Sequence, residues 1–117
     1  MREDSVRSRV VVTGLGAITP VGNSVPEYWA AVCEGRSGIG TITHFDPSRL
    51  DARIAGEIKG FDASRFFEKK EVKKMDRFIH FAVAAGAEAV ENAKVDFAHV
   101  DSTRAGCLIG SGIGGIQ

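Results

Sequence analysis

Residues 9–23 have the sequence RVVVTGLGAITPVGN, and this stretch decides the fold class. Its consecutive valines at 10–12 are β-branched and apolar, a run typical of a strand that is buried on both faces in a parallel sheet. A second apolar run at 105–109 opens into the glycine-rich loop 110–115. Because helical patterns separate the two predicted strands, the order strand, helices, strand predicts an α/β fold.

Helix signals fill the chain between these strands. Ser24-Val25-Pro26-Glu27 has the form of a capping box and predicts a helix over 25–34, with Gly35 as its stop. Apolar residues at the helical period predict a second, longer helix over 71–93. Several residues of this helix are small, so another element can approach it closely, and we expect the helix to lie deep in a large protein.

Shorter elements are predicted between the two helices. Residues 52–58 alternate loosely and predict a short strand, and Asp62 is placed to cap a brief helix over 63–68. Residues 36–51 show no regular pattern.

Composition and charge exclude several classes of protein. The chain has 117 residues, of which 44% are hydrophobic and 26% are charged, as in ordinary globular proteins. Its 15 basic and 15 acidic residues balance, so no global charge favours nucleic acid. No apolar run reaches the ~18 residues of a membrane span, and the polar residues 1–9 lack the apolar region of a secretory signal. We therefore expect a cytoplasmic protein that binds neither nucleic acid nor membrane.

The two predicted strands need neighbours that these residues do not supply. A strand buried in a parallel sheet requires a paired strand on each side, and a glycine loop that leaves such a strand normally leads to a further element. We therefore expect the 117 residues to be one part of a larger domain. The alternative is a complete small α/β domain.

The glycine loop 110–115 has the spacing G-x-G-x-x-G after a predicted strand. In a dinucleotide site, such a loop opens a helix whose N-terminus binds the pyrophosphate. The structural interpretation is that glycine permits positive φ and the close approach of a ligand or another chain. Dinucleotide binding therefore stays an alternative only.

Reactive side chains are few. Cys33 falls on the apolar face of the first predicted helix and Cys107 falls within the second predicted strand, so both are predicted to be small buried residues rather than nucleophiles. His44, His80 and His99 have no metal-ligand spacing to one another or to a cysteine pair, so no metal site is predicted.

Residues 65–77, with the sequence RFFEKKEVKKMDR, carry six basic and three acidic side chains. Like charges four residues apart, such as Lys70 and Lys74, slightly destabilise a helix. One interpretation is a solvated helix face. The other is a docking site for an acidic partner, held by a transient contact that salt weakens.

Taken together, six segments resemble the N-terminal portion of the β-ketoacyl-acyl-carrier-protein synthases, closest to the type II elongating enzymes of fatty-acid synthesis. They follow the family's order and spacing at 9–23, 35–39, 44–46, 53–62, 73–78 and 109–115. The resemblance implies a thiolase-like αβαβα layered fold, of which residues 1–117 are a partial N-terminal domain, and a homodimer.

The resemblance also implies a decarboxylating Claisen condensation. A cysteine takes the acyl group from acyl carrier protein, and two histidines help malonyl-carrier protein to lose CO2 and add its two carbons. The substrates are carried on the phosphopantetheine of the carrier protein, and no other cofactor is expected. The family's nucleophile lies in a Thr-Ala-Cys motif that these residues do not contain. No residue here therefore matches a catalytic position, and this piece alone is expected to be inactive.

Two features of the family do map onto this sequence. Ile113 matches the isoleucine that gates the acyl pocket near the dimer interface, where flanking glycines let it move. Lys70, Lys73 and Lys74 match basic positions on the helix where the acidic carrier protein docks. The main alternative is a polyketide system, as its ketosynthase or as a non-catalytic chain-length partner that shares the fold.

Overall fold

The computed structural model describes residues 9–115. Along the chain its elements are α1 (Val25–Cys33), β1 (Ile39–Thr41), β2 (Ile54–Gly56), a 3₁₀ turn (Ala63–Arg65), α2 (Lys69–Val72), α3 (Arg77–Ala93) and two further 3₁₀ turns (Phe97–His99 and Ser102–Arg104). The longest of these is α3, and the loop over residues 14–23, which precedes α1 and is called the first loop, packs directly on it.

The first helix has the ends that its sequence predicts. The Ser24 side chain accepts a hydrogen bond from the backbone N–H of Glu27 (3.4 Å), and the Glu27 carboxylate accepts one from the N–H of Asn23 (2.8 Å). At the other end Gly35 has a φ of +66°, and its N–H donates to the carbonyl of Val32 (3.0 Å). These contacts satisfy backbone groups that a helix leaves free at its termini, so the predicted helix is confirmed.

The glycines of the first loop let the chain lie directly against α3. A Cβ atom placed on Gly16 would overlap the carbonyl oxygen of Ala85, and one placed on Gly14 would overlap that of Ala89. The close approach predicted for the small residues of this helix is therefore confirmed, and the loop is the segment that makes it.

The Glu88 carboxylate ties the first loop and α1 to α3. One of its oxygens accepts a hydrogen bond from the N–H of Ala17 (2.8 Å), and the other accepts one from the N–H of Val25 (2.7 Å), the first residue of α1. One turn further along α3, the side-chain oxygen of Asn92 accepts a hydrogen bond from the N–H of Leu15 (3.1 Å). A carboxylate at the start of a helix also interacts favourably with the helix dipole.

The prediction of one continuous helix over 71–93 is wrong at its start. The structure ends α2 at Val72 and begins α3 at Arg77. Asp76 is the N-terminal cap of α3, with extended backbone (φ −70°, ψ 155°) that no helix interior contains. The apolar period does not show this break, because Met75, which lies in the break, stands at one of the apolar positions of that period. Lys70 and Lys74 are therefore not neighbours on one helix.

A short antiparallel ribbon forms the sheet of the described region. β1 pairs with β2 so that Ile39 lies opposite Gly56 and Thr41 lies opposite Ile54. The strand predicted over 52–58 is thus confirmed as a shorter one. Its partner β1 lies in 36–51, where no strand was predicted, because three residues are too few to show an alternating pattern.

The two apolar runs at 10–12 and 105–109 are not strands in this structure, contrary to prediction. Val10 is 95% exposed and Leu108 is 99% exposed, and no described strand lies beside either run. A strand exists only through hydrogen bonds to a neighbour, and the described part of the chain provides none for these residues. Their apolar side chains remain uncovered.

Both cysteines are exposed, so the prediction that they are buried is wrong. Cys33 ends α1 on the same face as Trp29, which is 64% exposed, and no segment of 9–115 covers this face. Cys107 lies in the unpaired run described above. A helical period reports which residues prefer burial, but it does not show whether a covering segment is present.

Candidate functional site

The three lysines predicted to dock the carrier protein lie where α2 joins α3. Lys70 is on α2, Lys73 caps its C-terminal end, and Lys74 follows in the turn, where its N–H donates to the carbonyl of Glu71 (2.9 Å). All three are exposed, as is Lys69 at the start of α2. The structure therefore gathers the predicted basic residues on a short helix and a turn.

A groove of about 550 Å³ runs beside these lysines. We call it the lysine groove and define it by the residues that line it: Phe61, Asp62, Ala63, Ser64, Lys69, Lys70, Val72 and Lys73. It combines cationic side chains with apolar ones, and two of the three predicted lysines belong to it.

Aromatic packing joins the groove to α3. The Phe61 ring lies parallel to that of Phe66, with ring centres 6.1 Å apart, and meets the ring of Phe81 edge-on at 5.1 Å. Beside them, the buried His80 of α3 has its ring centre 5.1 Å from that of Phe67. Stacked and edge-to-face pairs of this kind stabilise an aromatic cluster beyond the burial of their surface. The wall of the groove is therefore held in place.

The lysines carry charge that the described chain does not neutralise. Within residues 9–115, no salt bridge involves Lys69, Lys70 or Lys73. The acid in the groove lining, Asp62, accepts hydrogen bonds from the hydroxyl (2.7 Å) and the N–H (2.9 Å) of Ser64, and these bonds lower the pKa of Asp62. Both of these bonds come from Ser64, and no salt bridge joins this carboxylate to a lysine of the described chain.

Apart from the lysine groove, a cluster of polar side chains, called the second polar cluster, joins the β-ribbon to the start of α3. The Glu57 carboxylate accepts hydrogen bonds from the N–H (2.9 Å) and the hydroxyl (2.7 Å) of Thr43, and from the N–H of His44 (3.2 Å). The bonds from Thr43, and after them the bond from His44, lower the pKa of Glu57. His44 Nε2 also lies 2.8 Å from a guanidinium nitrogen of Arg77, whose side chain stands 5.5 Å from the centre of the Phe81 ring.

We expect Glu57→Gln to remove a part of the stability that depends on pH. The pKa of Glu57 in the folded chain is below its usual 4.5. The ionised carboxylate therefore stabilises the folded state above pH 4.5, and this contribution is lost as the pH falls through the lowered pKa. The urea midpoint of the variant should lie below that of the wild type at pH 7. The gap should narrow as the pH is lowered from 5.

Circular dichroism measures the unfolding in this comparison. Glu34→Gln is the control, because that carboxylate is exposed and bonds only to its near neighbour Arg36 among the contacts of the described chain. A gap between wild type and Glu57→Gln that stays constant down to pH 3 would contradict the prediction.

The glycine loop returns to the N-terminal end of α3. Gly114 has a φ of +86°, and a Cβ atom placed on it would lie 3.8 Å from the Phe78 ring. A Cβ atom placed on Gly115 would overlap the carboxylate of Asp76. Ile113 is 80% exposed. The loop that carries Ile113 thus lies against the residues that directly follow the lysines, a contact that the sequence does not show because 76 and 115 are distant along the chain.

The three histidines lie in separate places. His44 belongs to the second polar cluster, His80 to the aromatic cluster, and His99 Nδ1 contacts the carboxylate of Asp96 (2.8 Å). Over residues 9–115, no three side chains of the metal-binding types come together. None of the described helices has both the length and the apolar content needed to cross a membrane.

Comparison with known families identifies the class of the protein. A family model described as Beta-ketoacyl synthase, N-terminal domain, matches residues 7–117. The chain therefore belongs to the β-ketoacyl synthase family, as the resemblance of its segments predicts.

Curated relatives narrow the comparison to one kind of synthase. The chain is 52% identical over 111 residues to 3-oxoacyl-[acyl-carrier-protein] synthase 2 of Synechocystis sp. and 45% identical over 111 residues to that of Vibrio cholerae. It is 42% identical over 113 residues to the protein of the same name from Staphylococcus aureus. These matches cover 95–97% of this chain but 27% of each relative. The chain thus spans about a quarter of the length of these relatives.

A solved structure supports the fold class. The ishigamide ketosynthase/chain length factor is 36% identical to this chain, with a TM-score of 0.66, and the match covers 74% of this chain and 21% of that one. Together with the family match, this likeness establishes a partial α/β fold of the thiolase-like ketosynthase class. The glycine loop falls within the family match, so dinucleotide binding is not favoured.

Proposed function

We propose that this chain supplies the carrier-protein docking surface and one wall of the acyl pocket in a 3-oxoacyl-[acyl-carrier-protein] synthase of fatty-acid elongation. The observation that carries the proposal is the set of lysines at the lysine groove, which form no salt bridge within the described residues. Acyl carrier protein is acidic, so its charge complements this surface. The names of the three relatives support the same partner.

The reaction needs groups that this chain does not supply. The acyl group first moves from the carrier thioester to a cysteine thiolate. Malonyl-carrier protein then loses CO2, and the resulting carbanion attacks the new thioester, so that a carbon–carbon bond forms and the cysteine leaves as thiolate. No residue of 1–117 matches the family's cysteine or its histidines. The contribution of this chain is therefore binding and positioning. The homodimer and the cytoplasmic location remain predictions.

A polyketide system is the second candidate. The observation behind this candidate is the name of the ishigamide ketosynthase/chain length factor, which is 36% identical to this chain. The three synthase 2 relatives are more similar, at 42–52% identity, so fatty-acid elongation is the better supported function.

A chimera tests the proposed function. This chain replaces the matching 111 residues of the Synechocystis relative, and the rest of that protein is kept. We expect the purified chimera to lengthen the acyl chain on the carrier protein by two carbons, with malonyl-carrier protein as the donor, and to release CO2. The 117-residue chain alone should do neither. A folded chimera that forms no 3-oxoacyl product would contradict the proposal.

In this chimera, Ile113→Trp is expected to slow the elongation of long acyl chains by about tenfold or more and to affect short ones little. The reason is that a bulky ring at the proposed pocket gate obstructs the path of a long chain. Values of kcat/KM for acyl-carrier substrates of increasing length measure the effect. Ile113→Val keeps a small side chain and is the control. Equal slowing at every length would remove the gating role.

A further inference from the structure

We infer that Ser111 and Phe78 hold Ile113 in its resting position and are positioning residues that help to set the length of acyl chain accepted. Ser111 closes the turn that carries Ile113, and Phe78 supports this turn at the start of α3. The inference rests on the proposed function, because it takes Ile113 as the gate of the acyl pocket. Both side chains act through Ile113 rather than on the substrate.

A side-chain hydroxyl closes the turn that carries Ile113. The Oγ atom of Ser111 accepts a hydrogen bond from the N–H of Gly114 (3.0 Å). Gly114 has a φ of +86°, a backbone conformation that favours glycine. Ile113 lies between the two bonded residues, and its side chain is 80% exposed. Ile113 can therefore move in one of two ways, by breaking this hydrogen bond or by carrying the whole turn with it.

Contact between the glycine loop and α3 lies just after Ile113. A Cβ atom placed on Gly114 would lie 3.8 Å from Cζ of the Phe78 ring, and one placed on Gly115 would overlap the carboxylate of Asp76. By contrast, a Cβ atom placed on Gly112 would meet nothing within 4 Å in the described chain beyond its sequence neighbours. The turn is thus supported by α3 on its C-terminal side, and the Phe78 ring is the side chain beneath Gly114.

The support itself is fixed in place. Phe78 belongs to the first turn of α3, a helix of 17 residues, so its backbone is held by the helix. The residue before it, Arg77, lies 2.8 Å from Nε2 of His44 and stands 5.5 Å from the centre of the Phe81 ring. Because the start of α3 is held by these contacts, movement of the turn means separation from the Phe78 ring rather than movement of both together.

These two contacts oppose the opening of the gate. A long acyl chain requires Ile113 to leave its resting position, which costs either the hydrogen bond from Gly114 or the contact with Phe78. A short chain that ends before the gate requires neither. Because only the open state binds a long chain, the apparent affinity for that chain falls with the fraction of open protein. Ser111 and Phe78 should therefore disfavour long chains selectively.

The test uses the chimera described above. Phe78→Ala and Ser111→Ala are each expected to raise the ratio of kcat/KM for a long acyl-carrier substrate to that for a short one by about threefold, since one hydrogen bond or small apolar contact is lost. A merely structural defect would lower both values equally and leave this ratio unchanged. Phe78→Tyr and Ser111→Thr keep the ring and the hydroxyl and should retain the ratio of the unmodified chimera.

Phe97→Ala is the matched control for the loss of a ring. Phe97 is 62% exposed and is not one of the atoms that a Cβ on Gly114 would approach. This variant should leave the ratio unchanged. Phe78→Leu replaces the alanine variant if circular dichroism shows that the latter is unfolded, because leucine keeps apolar volume but lacks the ring.

Nuclear magnetic resonance of the 117-residue chain provides a readout without catalysis. The ring current of Phe78 should shift the Hα resonances of Gly114, and Phe78→Ala should remove this shift while Phe97→Ala retains it. Ser111→Ala should reduce the shift, because the turn is then no longer closed against the ring. Gly114 resonances that do not change in Phe78→Ala would mean that the loop does not rest on this ring, and they would overturn the inference.

The possible outcomes distinguish this inference from the proposed function. If Ile113→Trp discriminates by chain length while neither Phe78→Ala nor Ser111→Ala alters the ratio, the positioning role is wrong and the gate stands. If Ile113→Trp slows all lengths equally in an active chimera, the gate and its positioning are both wrong, while the elongating function stands. A raised ratio in both alanine variants, with an unchanged ratio in Phe97→Ala, supports the inference.

Discussion

Gly16→Ala lowers the free energy of unfolding of the 117-residue chain, by an expected amount of about 3 kcal/mol. The added Cβ would overlap the carbonyl oxygen of Ala85 and would stand 2.8 Å from the backbone nitrogen of Ala89. Both are main-chain atoms of α3, so neither can move without bending the helix or displacing the loop. Displacement of the loop would also break the hydrogen bond from Ala17 to Glu88. Urea unfolding followed by circular dichroism measures the change.

Gly86→Ala is the matched control, because it makes the same chemical change on α3 with the opposite expected sign. A Cβ atom on Gly86 would meet nothing within 4 Å. Alanine is also the better helix former, so this variant is expected to gain about 0.5–1 kcal/mol. If both variants shift the urea midpoint in the same direction by similar amounts, the loop does not pack on α3 as the structure shows.

Elements set by neighbouring residues could be predicted from the sequence. The ends of α1 follow from Ser24 and Gly35, whose hydrogen bonds reach only the adjoining turns. Asp62 caps the following 3₁₀ turn for the same reason, although that turn ends at Arg65 rather than at 68 as predicted. The break before Arg77 also has a local signal, since aspartate is a preferred helix cap, but the apolar period continues across it and hides that signal.

Features that depend on distant residues could not be predicted in this way. The valines at 10–12 have strong strand preference, but pairing requires a neighbouring strand that the described chain does not contain. Burial likewise depends on a covering segment, which is why Cys33 is exposed. The charge run located the lysines of the site, and the resemblance selected Lys70, Lys73 and Lys74. Neither showed that Phe61 approaches them to complete a groove.

Two features meet at the start of α3. One is local, the helix break at Asp76, and the other is distant along the chain, the glycine loop that returns to this residue. The helix break before Arg77 places the lysines on the short helix α2 and in the turn after it, not on α3. A Cβ atom placed on Gly115, two residues after Ile113 in the loop proposed to gate the pocket, would overlap the Asp76 carboxylate. If the proposed function is right, the loop that carries the gate lies against Asp76, which follows the last docking lysine by two positions.

Reversing three charges together, with Lys70→Glu, Lys73→Glu and Lys74→Glu, is expected to weaken the binding of holo-acyl carrier protein about 100-fold at low salt. The reason is that attraction to an acidic partner becomes repulsion at each position. Since salt screens charges on an exposed surface, the affinities of variant and wild type should converge as the ionic strength approaches ~1 M. Isothermal titration calorimetry at several salt concentrations measures both effects.

A second triple variant separates the docking surface from the effect of net charge. Arg49→Glu, Lys59→Glu and Arg104→Glu change the net charge by the same amount at positions that do not line the groove. This variant should lose no more than a few-fold in affinity, because its new charges lie away from the contact. If both triple variants bind the carrier protein equally weakly, the chain attracts its partner through overall charge, and the lysines at the α2–α3 junction are not its docking surface.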